Sequence, residues 1–130
     1  MIDHISLQVS DLTKSTTFYQ AVLRPLGLVR MIEREGTVGF GKRYPELWLN
    51  LRPNRARAQD DPGAHVALRA PSEDAVRDFH AAALTHGGRD DGAPGPRPAA
   101  LTTYFGAFVL DPDGNKLEAV NFPRPLGAAG

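Results

Sequence analysis

Hydrophobic and polar residues alternate along several short stretches of the chain, and this two-residue period predicts β-strands. The clearest case is residues 3–9, where Ile5, Leu7 and Val9 share one face and polar residues occupy the other. Six further stretches of extended character are predicted, the last two being joined by the turn sequence DPDGN. They are residues 28–34, 37–41, 46–52, 64–70, 101–110 and 116–122.

Two segments have helical periodicity instead. In the first, Ser10 or Asp11 is placed to cap the amino terminus of a helix that ends near Gly27. In the second, Ser72 is the predicted cap and the helix stops near residues 87–88. The apolar stripe predicted for the second helix consists of Val76, Phe79, Ala83 and Leu84.

Three segments lack either period. Residues 53–63 are polar with Pro and Gly at their ends and are predicted to be a linker. Residues 89–100 are rich in Gly and Pro and are predicted to be a loop, which we consider as a lid over a binding site. Residues 123–130 are predicted to be a loosely ordered tail.

The predicted elements repeat as β-α-β-β-β, which indicates an internal duplication. An offset of 61 residues places His4 on His65 and Phe18 on Phe79. The same offset matches Leu7 with Leu68, Ala21 with Ala82, Leu23 with Leu84 and Gly27 with Gly88. We therefore predict one α+β domain spanning 1–130, with module one at 1–52 and module two at 64–122.

Composition narrows the function classes. The 130 residues are sufficient for one ordinary domain, and 42% of them are hydrophobic. Lys+Arg and Asp+Glu are equal at 15 each, so charge offers no argument for nucleic-acid or anionic-membrane binding, and we expect neither partner. No apolar stretch is long enough to span a bilayer and no secretory signal is visible, so the cytoplasm is the expected location. Without cysteine, any metal ligands must be His, Asp, Glu or main-chain oxygen.

The duplication puts His4 and His65 at equivalent positions on the first strands of the two modules. Glu118 lies on the last strand among apolar neighbours, where an unpaired carboxylate would be costly to bury. Two imidazoles and one carboxylate suit Fe(II), Mn(II), Zn(II) or Ni(II) and leave positions open for substrate. If the modules face each other about a pseudo-twofold axis, the three side chains meet at one metal site.

Each of these residues also has an ordinary structural interpretation. His4 can be a solvated terminal residue, and His65 can be hydrogen-bonded to a backbone carbonyl. Glu118 can pair with an arginine such as Arg69 or Arg52. We assign no function to the other two histidines: His80 is expected at the edge of the core, and His86 in solvent near a helix end.

Three segments of the chain resemble the vicinal oxygen chelate superfamily. They are DHISLQVSDLTKSTTFYQAVLRPLGL, GAHVAL and YFGAFVLDPDGNKLEAV. This superfamily includes glyoxalase I, fosfomycin-resistance thiol transferases, methylmalonyl-CoA epimerase, extradiol dioxygenases and bleomycin resistance proteins. The resemblance covers residues 2–122 and is specific for the fold but not for a substrate. It implies two paired modules whose sheets curl into a cup around a divalent metal held by His4, His65 and Glu118. It also implies a homodimer in which the site can be shared between chains.

One position departs from the glyoxalase I pattern. Those enzymes place a fourth ligand, Glu or Gln, on the last strand of the first module, where alignment of Leu47 with Leu117 puts Trp48 here. Tryptophan cannot bind a cation, so the sequence favours a three-ligand site. A slip of two residues would bring Glu46 or Asn50 to that position instead.

Three functions remain open at this point. The first is a metal-dependent enzyme with glyoxalase-like lyase or thiol transferase chemistry on a small oxygenated substrate, and the second is an Fe(II) extradiol dioxygenase. The third is a binding protein that sequesters a drug or metabolite without chemistry. For an enzyme we expect Glu118 and Tyr104 to be catalytic, Tyr104 as a proton donor or orienting hydroxyl. The residues expected to contact substrate are Trp48, Asn50, Arg69 and Phe108.

Overall fold

The computed structural model describes residues 1–54 and 63–123. It contains two consecutive β-α-β-β-β modules. Module one consists of β1 (Ile5–Val9), α1 (Leu12–Leu23), β2 (Val29–Arg34), β3 (Thr37–Gly41) and β4 (Pro45–Leu51), with a short 3₁₀ helix (Arg24–Leu26) after α1. Module two consists of β5 (Val66–Arg69), α2 (Glu73–Thr85), β6 (Arg89–Arg97), β7 (Tyr104–Leu110) and β8 (Lys116–Asn121). Most of the predicted linker and tail, residues 55–62 and 124–130, lies outside the described residues.

Each module forms its own four-stranded mixed sheet, and the two sheets have the same strand order. The order is β1-β4-β3-β2 in the first sheet and β5-β8-β7-β6 in the second. In both, the first strand runs parallel to the last strand of its module and the remaining pairs are antiparallel. The α+β architecture predicted from the sequence is therefore confirmed.

One face of each sheet packs against its helix, and α1 also packs against α2. Alternation along the strands decides which side chains enter this core: Leu47 and Leu49 of β4 are buried, as are Leu117 and Ala119 of β8. The intervening residues of each strand lie on the opposite face, which we call the helix-free face of the sheet. The helices contribute the largest buried side chains, which include Phe18, Tyr19 and Phe79.

The helix caps agree with the sequence predictions. The carboxylate of Asp11 accepts a hydrogen bond from the Lys14 amide at 3.0 Å, and the Ser72 hydroxyl accepts one from the Ala75 amide at 3.0 Å. Gly27 ends the first helical segment with φ +88°, a left-handed conformation that favours glycine. In the part of the chain described, neither helix is long and apolar enough to cross a membrane.

The repeat changes offset at the ends of the helices. The amide of Leu28 donates to the carbonyl of Leu23, and the equivalent bond in module two joins Gly88 to Ala83. Leu23 therefore corresponds to Ala83, 60 residues later, rather than to Leu84. This explains why the prediction that Leu84 faces the core is wrong: its surface is 48% exposed, whereas Leu23 is fully buried.

The prediction of a loop and lid at 89–100 is also wrong for residues 89–97, which form β6. Among the described residues, this strand lies at the edge of the second sheet and pairs only with β7, so the missing backbone N–H groups of Pro94 and Pro96 cost little. The pairing register between β6 and β7 shifts on both sides of Gly92, which marks β-bulges at this position. Edge position and bulges together allow a strand whose composition is typical of a loop.

The DPDGN turn, residues 111–115, ties the two modules together. The buried carboxylate of Asp111 accepts hydrogen bonds from the Tyr19 hydroxyl at 2.6 Å and from the side-chain amide of Asn115 at 2.8 Å. It also accepts the backbone amides of Asp113 and Asn115. The Asp113 carboxylate in turn accepts the amide and the hydroxyl of Ser10. Polar groups of module one are thus satisfied by a single turn of module two.

Candidate functional site

Glu118 stands at the centre of the helix-free face of the second sheet. Its neighbours Leu117 and Ala119 point into the core, so strand alternation directs Glu118 the other way. The residue is nevertheless only 4% exposed. A carboxylate this well buried requires polar partners, and the structure supplies two.

His65 and Tyr104 are these partners, and they occupy different oxygens of the carboxylate. The His65 Nε2 atom lies 3.2 Å from Glu118 Oε1, and the Tyr104 hydroxyl donates to Glu118 Oε2 at 2.5 Å. His65 comes just before β5, the strand parallel to β8, and Tyr104 begins β7 on the other side. Sheet order therefore brings three residues from separate parts of the chain into one cluster.

Tyr104 is held as a hydrogen-bond donor. Burial raises the pKa of its phenol to about 12, and the hydrogen bond to the Glu118 carboxylate acts in the same direction. The phenol consequently keeps its proton at neutral pH and can fix the orientation of the carboxylate. The second oxygen, Oε1, is left facing His65.

Phe108 forms one wall of this cluster. It pairs with Glu118 across β7 and β8, and its ring contacts the His65 ring edge-on with 5.8 Å between centroids. Two basic groups approach the same phenyl ring, the Lys116 ammonium at 5.0 Å and the Arg97 guanidinium at 5.6 Å from the centroid. Phe108 thus packs beside the cluster and contacts two basic side chains.

Arg69 does not take the role of ion-pair partner to Glu118. Its guanidinium lies 5.5 Å from the centroid of Phe122, whose ring is also 5.6 Å from that of Tyr104. A pocket of about 380 Å³ opens beside these side chains. The pairing that the sequence left open for Glu118 is resolved in favour of His65 and Tyr104.

His4 does not join His65 and Glu118 within one chain. It precedes β1 in the first sheet, its side chain is 52% exposed, and its Nδ1 atom lies 2.7 Å from a carboxylate oxygen of Asp3. Within residues 1–54 and 63–123, no three His, Asp or Glu side chains form a cluster suited to a metal ion. The complete set expected from the sequence is therefore not assembled by a single protomer.

The register of the sheets identifies the module-one counterpart of Glu118. Ser6 pairs with Trp48 in the first sheet, and Ala67 pairs with Glu118 in the second. Ser6 and Ala67 are equivalent positions, because each lies two residues after the histidine of its module. Trp48 is thus the equivalent residue, and the slip that would have brought Glu46 or Asn50 there does not occur. The indole packs over Gly39, where an added Cβ would lie 2.9 Å from the ring.

The cluster does not include Asn50, which was expected to contact substrate, or the two histidines to which we assigned no function, His80 and His86. Asn50 is on the helix-free face of the first sheet, where its side-chain oxygen accepts a hydrogen bond from the Thr37 hydroxyl at 2.7 Å. His80 and Asp90 are paired at 2.8 Å between α2 and β6, and His86 bonds its own helix end. None of the three contacts the Glu118 cluster.

Sequence reasoning missed two residues that surround the cluster, Arg97 and Phe122. Arg97 fell in the segment expected to be a loop, so no face could be assigned to it. Phe122 lies four residues beyond Glu118, and the two-residue period places both on the same face. That period was the available signal for Phe122.

The pair formed by His65 and Glu118 fits a divalent cation as two adjacent ligands. An imidazole nitrogen and a carboxylate oxygen that bind one such ion at about 2.0–2.2 Å stand about 3 Å apart. The observed separation of 3.2 Å between Nε2 and Oε1 matches this requirement. This cluster supplies two of the three ligands expected from the sequence.

Comparison with known proteins identifies the superfamily to which this chain belongs. The family model for the glyoxalase/bleomycin resistance protein/dioxygenase superfamily matches residues 1–119, and the chain belongs to this superfamily. A search of curated proteins finds no match.

Solved structures agree with this assignment. A glyoxalase/bleomycin resistance protein from Albidiferax ferrireducens T118 is 30% identical, with a TM-score of 0.80 over 92% of this chain and 97% of that one. A glyoxalase-related enzyme from Fulvimarina pelagi is 20% identical, with a TM-score of 0.74 over 100% of this chain and 94% of that one, and it shares the fold. A glyoxalase I variant from Zea mays is 24% identical, with a TM-score of 0.67 over 91% of this chain and 44% of that one.

Proposed function

We propose that this protein is a divalent-metal-dependent enzyme that acts on a small oxygenated substrate by glyoxalase-like lyase or thiol transferase chemistry. The observation that carries the proposal is the pairing of His65 with the buried Glu118 carboxylate at a separation suited to a shared cation. Membership of the glyoxalase superfamily supports the same reaction class. Zn, Ni, Mn and Fe are all compatible with these ligand types.

The residues of the chain have separate roles in this proposal. A bound divalent cation supplies Lewis-acid stabilisation of the charge that develops on a substrate oxygen. Tyr104 keeps its proton and holds Glu118 Oε2, so that Oε1 stays directed toward His65. Phe108 covers one side of the pair and keeps water from that side. Trp48 offers an apolar wall on the first sheet.

We further propose that the site is completed across a homodimer, with His4 of one protomer joining His65 and Glu118 of the other. Two features support this arrangement. The modules of one chain contact each other through α1, α2 and the DPDGN turn. Their helix-free faces lie on two separate sheets, and His4 and Glu118 are on different ones. His4 is exposed and carries only a local contact with Asp3, so its imidazole is accessible to a second copy.

Metal content measured by mass spectrometry tests the proposal. We expect near-stoichiometric divalent metal in the wild-type protein and little in His65→Ala or Glu118→Gln. His86→Ala and Glu46→Gln are matched controls outside the cluster and should stay filled. Wild-type protein that stays empty after incubation with Zn, Ni, Mn and Fe(II), or cluster variants that fill like the controls, would contradict metal dependence.

Mixing two defective variants tests the shared site. Co-refolded His4→Ala and Glu118→Gln chains should regain about one quarter of the wild-type metal content, because half of the dimers are heterodimers with one intact site. If the site forms within one chain, the mixture remains empty.

A second candidate function is sequestration of a drug or metabolite without chemistry. It is favoured by one observation, that the described residues of a single chain do not assemble three metal ligands. Wild-type protein that stays metal-free yet binds a member of a drug or metabolite panel would establish it. For the extradiol alternative, activity toward catechol after anaerobic loading with iron is the discriminating assay.

A further inference from the structure

Two arginines near the Glu118 cluster have aromatic partners instead of carboxylate partners. Arg69 lies over the ring of Phe122 and Arg97 over the ring of Phe108. Neither forms an ion pair with a carboxylate anywhere in residues 1–54 and 63–123. The third basic group nearby, Lys116, is different, since its ammonium is 3.1 Å from a carboxylate oxygen of Asp91. Arg97 also donates hydrogen bonds to the backbone carbonyls of Ala93 and Gly95, so among the described residues Arg69 is the arginine near the cluster that has neither a hydrogen-bond nor an ion-pair partner.

Arg69 is the one that faces a pocket. The pocket of about 380 Å³ is lined by Arg69, Asn121 and Phe122, together with Val120 and residues that follow the ends of β5 and β8. Asn121 is anchored by a hydrogen bond from its side-chain amide to the carbonyl of Ala70 at 2.9 Å. The volume is sufficient for a carboxylate or phospho group with a few attached carbon atoms.

Arg69, which lines the pocket, lies on the same face of the sheet as Glu118. Arg69 pairs in register with Val120, and Ala67 pairs with Glu118. Val120, the partner of Arg69, lies two residues beyond Glu118 on β8, a distance of about 7 Å along the strand. Arg69 and Glu118 are therefore separated by roughly the length of a small metabolite. Tyr104 connects them, because its hydroxyl binds Glu118 and its ring packs on Phe122.

We propose that Arg69 and this pocket bind an anionic group of the substrate, so that the substrate class is a small oxygenated molecule bearing a carboxylate or phospho group. The assignment of this ligand as substrate rests on the proposed function, whereas the anion site itself does not. A guanidinium presents a planar fork of donors that matches both kinds of oxyanion, and stacking on Phe122 holds that fork in place. Arg97 adds positive potential on the far side of the cluster.

Titration of metal-free protein followed by ¹H–¹⁵N NMR tests the anion site. Sodium phosphate and sodium acetate are the two probes, each added at constant ionic strength maintained with chloride. We expect saturable shifts of the amides of Arg69, Ala70, Asn121 and Phe122 with at least one probe, and the stronger probe identifies the preferred oxyanion. Arg69→Gln should weaken that binding about tenfold or more. Arg34→Gln, at an exposed arginine of β2, should leave it unchanged.

Phe122→Leu provides a second variant that keeps the charge. It removes the stacking partner and should weaken binding severalfold with the guanidinium intact. No saturable shift in the wild type, equal weakening in Arg69→Gln and Arg34→Gln, or shifts centred on Arg97 instead would each overturn the proposal. Because chelator-treated protein is used, failure of the anion site is distinguishable from failure of metal dependence, which metal content reports separately.

Discussion

Replacement of Asp111 by asparagine tests how strongly the DPDGN turn holds the two modules together. Four donors converge on this buried carboxylate, two on each oxygen. In asparagine one oxygen becomes an amide group, which is itself a donor. With the amide nitrogen in place of Oδ1, the backbone amides of Asp113 and Asn115 lose their acceptor; in place of Oδ2, the side-chain amide of Asn115 loses it, while the Tyr19 hydroxyl can turn to accept.

The expected cost follows from these contacts. A buried donor left without a partner costs about 1–3 kcal/mol, so the one or two that lose their acceptor cost about 1–6 kcal/mol. Burial raises the pKa of the Asp111 carboxyl, which shows that the buried charge is itself unfavourable, and asparagine removes that charge. We therefore expect Asp111→Asn to lower the free energy of unfolding by about 2–4 kcal/mol, a large share of the roughly 5–15 kcal/mol of a typical domain.

Urea unfolding followed by the fluorescence of Trp48, the single tryptophan of the chain, measures this change. With an m-value of about 2 kcal/mol/M, the midpoint should fall by about 1–2 M while m is unchanged. Asp74→Asn is the control, because that side chain is 89% exposed and should change stability by less than about 1 kcal/mol. A midpoint for Asp111→Asn within error of the wild type would refute the reasoning that this network is required for stability.

Three further outcomes are expected. In metal-free protein, one phenol should titrate near pH 12 by absorbance at 295 nm, since the pKa of Tyr104 is raised to about 12. The contribution of the protonated phenol to folding stability is complete below pH 10 and is lost as the pH rises through 12. Glu118→Gln should lower that pKa without restoring it to 10, because burial remains the larger cause; an unchanged titration would disprove the contact. Phe79→Ala should lower the free energy of unfolding in urea by about 3–5 kcal/mol, and Leu84→Ala should lower it by less than about 1 kcal/mol. Equal losses would contradict the exposure of Leu84 and with it the change of offset in the repeat. Gly88→Ala should lower the melting temperature by several degrees, because an added Cβ would lie 2.6 Å from the Phe18 ring, and an unchanged value would show that this contact relaxes freely.

Much of the architecture follows from local sequence patterns. The period of two placed β1, β3 and β4 close to their observed positions, and the caps Asp11 and Ser72 begin the helices as predicted. The internal repeat indicated that His4 and His65 hold equivalent positions on the first strands of the two modules, and Glu118 was placed on the last strand of module two. These features depend on residues close in sequence or on a duplicated spacing, so a single sequence contains enough information to infer them.

Other features depend on position within the sheet. The composition of β6 is typical of a loop, and only its place at an edge, paired on one side with β7, makes it a strand. The exposure of Leu84 depends on how α2 ends relative to the sheet beneath it. Neither circumstance is encoded in a local period, because pairing and helix ends are decided by long-range packing.

The site divides in the same way. The sequence by itself determined that an imidazole stands on the first strand of module two and a carboxylate among apolar neighbours on its last strand, because the repeat and strand alternation are local properties of the chain. Only the tertiary structure decided that Tyr104 takes one oxygen of Glu118 and His65 faces the other, that Arg69 turns to Phe122, and that His4 stays apart within the chain. Those contacts depend on strand order and on which sheets share a surface, and these are properties of the packed molecule.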